Sequence, residues 1–99
     1  MIASADANSS TFAVTRFREG YDPAEVDSFL ARIRTTLEGY ERRAGGIAEV
    51  TASQVVNTRF QPTKFRTGYD QGQVDAFLDQ VVTTLQTYEG TDKPEVGVT

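Results

Sequence analysis

Cysteine, histidine and tryptophan are all absent from this chain of 99 residues, which carries a single methionine and three prolines. No disulfide can brace the fold. Without Cys or His, the common zinc sites and nucleophile–base pairs cannot be assembled. Lone carboxylates could still move protons, but nothing marks one out. Gly45-Gly46 has no Lys-Ser/Thr after it and opens no strand–helix unit, so there is no phosphate-cradling loop. These absences argue against an enzyme, and no catalytic residue, metal or cofactor is expected. No apolar run approaches 18 residues, so no membrane-spanning helix is expected either. Residues 1–11 lack the basic start and apolar centre of a signal peptide. The expectation is a cytoplasmic protein. A net charge of −4 opposes general nucleic-acid binding, which needs a basic face to displace counterions.

What the chain does have, it has twice. Phe12 to Glu41 returns 48 residues later as Phe60 to Glu89, identical at 16 of 30 positions. A period of that length defines the structural unit. Each copy of about 30 residues is below the roughly 40 at which a lone domain folds without staples or association. The copies must therefore pack on each other or on another chain. Duplication suits a binding or assembly surface better than a catalytic centre. The expected domain plan is a disordered start over 1–11, one repeat over 12–43 and a Gly-containing linker over 44–49. A second repeat over 50–89 and a disordered tail over 90–99 complete it.

Within each copy the helix signals are strong. Asp22-Pro23-Ala24-Glu25 reads as a cap, a proline at the first helical position and the acid of a capping box. Asp70 and Gln73 repeat the scheme. Val26, Phe29, Leu30, Ile33, Leu37 and Tyr40 then recur at helical spacing, matched by Val74, Phe77, Leu78, Val81, Leu85 and Tyr88. The spacing predicts helices from about Pro23 to Arg43 and from Asp70 to Gly90. Gly20 reads as a sharp entry with a backbone angle other residues resist. Phe12 to Gly20 shows no period and reads as a loop, and Thr51 to Val56 as one or two helical turns. The predicted fold is all-α: two short-helix/loop/long-helix repeats, with the long helices packed as an internal pseudo-dimer or a coiled-coil-like pair.

The string Arg16-Phe-Arg-Glu-Gly-Tyr-Asp-Pro-Ala-Glu-Val-Asp-Ser-Phe-Leu30, with its partner around Gly68-Tyr69-Asp70 and Val74-Asp75-Ala76-Phe77-Leu78-Asp79, resembles the N-terminal domain of DivIVA-type proteins. These are bacterial scaffolds of cell division and polar growth. The resemblance covers 12–41 and 50–89, and implies a non-enzymatic scaffold or adaptor. It also implies that the loop before the glycine touches membrane, which points to Arg16, Phe17, Arg18, Lys64, Phe65 and Arg66. A related adaptor of the family grips an Arg-bearing peptide with the Tyr and with Asp residues of the first helical turns. The matching positions are Tyr69, Asp75 and Asp79 in the second copy, and Tyr21 and Asp27 in the first, where Ala31 replaces the last Asp. The implied partners are proteins of the division or envelope machinery, an anionic membrane surface at the inner face of the cell membrane, and a further copy of the chain. Nucleic acid is not among them.

Two readings of these residues stay open in the sequence. Phe17 and Phe65 could close the base of the core or enter lipid, where each phenylalanine contributes about 1.5–3 kcal/mol and each nearby cation about 1 kcal/mol. Asp27 and Asp75 could be paired within the chain or could receive a guanidinium from outside.

Overall fold

The computed structural model describes residues 2–10, 12–42 and 48–92. The chain begins with a single 3-10 turn at Ser4–Asp6, followed by two short strands, β1 (Val14–Thr15) and β2 (Gly20–Tyr21). A long helix α1 (Pro23–Arg42) and a short helix α2 (Ala52–Asn57) come next. Strands β3 (Pro62–Thr63) and β4 (Gly68–Asp70) then lead into a second long helix, α3 (Gln71–Asp92).

The protein is therefore mixed α/β, and the all-α expectation is overturned by a four-stranded antiparallel sheet in the order β1-β4-β2-β3. Neither a coiled coil nor a tandem array of helical repeats describes it, because the loops of the two copies are woven into one sheet. Every ladder joins a strand of one copy to a strand of the other. Val14 and Thr15 pair with Tyr69 and Gly68, Gly20 and Tyr21 with Thr63 and Pro62, and Tyr21 with Tyr69 at the centre. Strands of two or three residues are too short to show alternation, and such pairs hold only with tertiary support. Here the support comes from the opposite copy, which local sequence cannot reveal.

The weave continues into the caps. Asp22 N–H donates to the Gln61 carbonyl at 2.9 Å, and Asp70 N–H to the Ala13 carbonyl at 2.8 Å. Asp22 Oδ1 accepts from Ala24 N–H at 2.9 Å and Asp70 Oδ2 from Gln73 N–H at 2.9 Å, so both aspartates cap as expected. The residues expected to close the boxes reach across instead. Glu25 Oε1 accepts from Gln61 N–H at 2.7 Å and Gln73 Oε1 from Ala13 N–H at 2.6 Å. Each thereby holds a strand edge of the opposite copy.

Gly20 and Gly68 are demanded by crowding rather than by a left-handed φ, which neither adopts. A Cβ on Gly20 would lie 2.8 Å from the Tyr69 carbonyl oxygen, and one on Gly68 would collide with the Thr63 side chain. Two central strands can cross this closely only where the side chain is a hydrogen.

Beneath the sheet, both apolar stripes are buried. Val26, Leu30, Ile33 and Leu37 of α1 meet Val74, Leu78, Val81 and Leu85 of α3, with Val50, Val55, Ala52 and Ala7 closing the sides. The helices run parallel. Their starts share the central strands, and near their ends Tyr40 and Tyr88 stack with ring centroids 4.6 Å apart and planes within 1°.

The leading segment of each copy is tied to the long helices. Ser4 donates through N–H and hydroxyl to Glu41, both at 2.7 Å. Ile2 N–H donates to Thr84 Oγ1 at 3.2 Å. The second copy repeats this with Ala52 N–H on Glu89 at 2.8 Å and Val50 N–H on Thr36 Oγ1 at 3.1 Å. Buried Thr36 and Thr84 thus each anchor the leading segment of the other copy. Helix α3 also passes through Gly90, its expected end, to Asp92, and the expected tail from 93 lies outside the described residues. Of the expected linker, residues 44–47 also lie outside them.

Candidate functional site

The loops between paired strands emerge from one end of the molecule. Residues 16–19 leave β1, cross β4 and enter β2, while 64–67 leave β3, cross β2 and enter β4. The loops touch: Arg16 Nε donates to Thr67 Oγ1 at 3.2 Å.

Each loop carries one phenylalanine at its tip, and both are in solvent. Phe17 is 96% exposed and Phe65 85% exposed, which excludes the reading that they close the core. Phe65 also holds φ at 63°, among the described residues the one non-glycine in the left-handed region. A bulky residue there costs on the order of 1–3 kcal/mol. Lys64 Nζ lies 6.0 Å from the centre of the Phe65 ring.

The neighbouring arginines have a second task. Arg18 Nη2 donates to Asp70 Oδ1 at 2.6 Å, and Arg66 Nη2 stands 3.9 Å from Asp22 Oδ2. The aspartate that caps each helix thus also tethers the loop of the opposite copy. The Arg18 side chain is still 74% exposed, so its charge remains on the tip surface.

The tyrosines and aspartates expected to bind peptide are brought together, but in crossed pairs. Tyr21 donates its hydroxyl to Asp75 Oδ1 at 2.8 Å and Tyr69 to Asp27 Oδ1 at 2.9 Å. The woven strands carry each tyrosine to the other copy's helix, so Tyr21 and not Tyr69 stands with Asp75. Burial, aided by the Asp75 carboxylate, pushes the Tyr21 phenol up to about 12. At Tyr69 the Ser9 hydroxyl pulls the other way, yet burial and Asp27 outweigh it and the phenol is still raised. Both phenols are hydrogen-bond donors at neutral pH.

Beside Tyr21 runs a groove of about 440 Å³. Val55, Val56, Phe60, Leu78 and Val82 give it apolar walls, and Asp75, Asp79 and Arg59 add charge. The equivalent positions in the first copy hold Ala7, Asn8, Phe12, Leu30 and Arg34 as walls, with Asp27 and Ala31 for the two aspartates. The sequence reading picked out Asp75 and Asp79 but missed Phe60 and Arg59. The available signal was the Val55-Val56 pair, which has no counterpart in the first copy.

No family model, curated protein or solved structure matches this chain. Among the described residues no cluster of acidic side chains could hold a metal ion, and no helix is long and apolar enough to cross a membrane.

Proposed function

We propose that the protein is a non-enzymatic adaptor of the DivIVA type that attaches peripherally to the anionic inner face of a bacterial membrane, in division or envelope growth. The observation that carries the reading is the pair of almost fully exposed phenylalanines on adjoining loops. Nothing in the packing of the chain calls for them, and one of them is held against its backbone preference. Arg16, Arg18, Lys64 and Arg66 flank them on the same two loops, which carry Glu19 as their one acid. One tip would bind weakly. Two tips on one rigid body reinforce each other through effective concentration, which gives the duplication a physical purpose. The assignment to division or envelope growth rests on the DivIVA resemblance.

Flotation with phosphatidylglycerol-containing vesicles at low salt tests the reading. Binding is expected, with loss on raising salt, on using neutral phosphatidylcholine vesicles, and in the Phe17→Ala, Phe65→Ala double variant. No flotation, or flotation unchanged in that variant, sinks it.

A second reading belongs to the groove. Asp79 beside the Tyr21–Asp75 pair, between walls of valine and leucine, suits an Arg-bearing peptide, since carboxylates take guanidinium bidentately. Anisotropy with a labelled Arg-rich peptide, against Asp79→Lys as control, checks it. Equal binding by both chains would exclude the groove.

A further inference from the structure

We propose that the two halves of the chain, 2–42 and 48–92, are exchangeable between copies, so that a second copy of the same chain is a binding partner. The product is a closed two-chain ring in which the first half of each copy is completed by the second half of the other. The proposal is independent of membrane attachment.

The topology carries it. Among the described residues all three strand ladders lie between halves, and no strand pairs within its own half. The aromatic clusters follow the same rule: Phe12 packs on Tyr69 and Phe77, and Phe60 on Tyr21 and Phe29. The Tyr–Asp and Arg–Asp pairs, the Tyr40–Tyr88 stack and the threonine anchors all cross as well. None of these contacts depends on which chain supplies which half, so exchange keeps them all. Swapping whole elements in this way is a low-cost route to dimers.

What favours the single-chain form is the covalent link alone. A short connection gives an effective concentration in the mM range, so exchange competes only at roughly that concentration. The connection leaves from Arg42 and returns at Glu49, whose N–H donates to Thr36 Oγ1 at 3.0 Å. Both points lie toward the helix ends, away from the loop tips. The ring therefore joins two units end to end, with a pair of phenylalanine tips at each far end.

Replacing residues 44–48 by Glu-Ala-Ala-Ala-Lys tests this in the full chain. A continued helix rises about 1.5 Å per residue and carries Glu49 some 20 Å beyond Thr36, too far to fold back on its own α1. The variant is expected to be a dimer at µM concentration, at least 100-fold below the onset in the parent chain. Its scattering length should be about twice the 48 Å of the single chain. A folded monomer at all concentrations overturns the proposal. If the variant does not fold, the parent background decides: a chain with Tyr40→Cys and one with Tyr88→Cys are refolded together at mM concentration. A disulfide or short bis-maleimide link joining one chain of each kind, well above links between like chains, supports exchange. Links without that selectivity, or none, overturn it.

Discussion

The two halves use one plan, but only the second has a full brace. In the second half Thr51 caps α2, accepting from Gln54 N–H at 3.2 Å, and Val55 is buried against α3. In the first half Ala3 stands at the cap and has no hydroxyl to offer. The segment manages one 3-10 turn, whose Ala3 N–H is held by Asp6 at 2.9 Å. The cost of that difference is modest, because a cap is worth about 1 kcal/mol. Its consequence is larger: the valine-walled groove exists beside α2, while Asn8, Ala31 and Arg34 stand at the matching positions of the first half. Duplication preserved what holds the halves together and let the outer flank of one of them diverge.

The sharpest break in the comparison is expected at the paired glycines. Gly20→Ala drives a Cβ against backbone and should cost about 3 kcal/mol or more, with no single rescue. Gly68→Ala meets mainly the Thr63 side chain, so adding Thr63→Ala should recover part of its loss. Urea unfolding of the three variants measures both. Equal behaviour of the two glycines, with no recovery, would contradict the crowding described here.

The buried threonines should differ next. Thr36 Oγ1 accepts from both Glu49 and Val50 N–H, whereas Thr84 Oγ1 accepts from Ile2 N–H. Thr36→Val is expected to cost about 2 kcal/mol and Thr84→Val about 1 kcal/mol. Thermal unfolding at matched pH reads the difference, and the reverse order would contradict the anchoring roles.

The tips offer a smaller, opposite-signed effect. Phe65→Gly should stabilise the fold by up to about 1 kcal/mol by relieving the left-handed φ, while weakening vesicle binding. Phe17→Gly should weaken binding without stabilising. A stability gain confined to Phe65 separates strain from simple exposure.

The smallest effect is at high pH. The phenol of Tyr21 is raised above its ordinary value near 10 in the folded chain. Its contribution to stability is therefore complete below pH 10 and is lost as pH rises through about 12. Tyr21→Phe should flatten the loss of stability over that window, read by urea unfolding at stepped pH.

Much of the helical half of this molecule was legible in the sequence. The stripes from Val26 to Leu37 and Val74 to Leu85 announced helices, and Asp22 and Asp70 announced their starts. The sheet was not legible, because Val14–Thr15 or Pro62–Thr63 acquires a strand geometry only from a partner some 50 residues away. The crossed Tyr–Asp pairs were hidden for the same reason. Each motif looks self-contained in one copy, and only the weave shows that its members serve the other. The contacts of Ile2 and Ser4 were not legible either, because they run through backbone N–H groups and one hydroxyl to Thr84 and Glu41 rather than through a periodic apolar stripe.

The claim that the halves complete one another is tested most directly by native-state hydrogen exchange at low denaturant. The helix amides of Leu37 in α1 and Leu85 in α3, with the cross-copy amides of Asp22 and Asp70, should converge on one opening free energy. Protection that persists in α3 while α1 and the strands exchange through a cheaper opening would show two separable bodies, and would contradict the account.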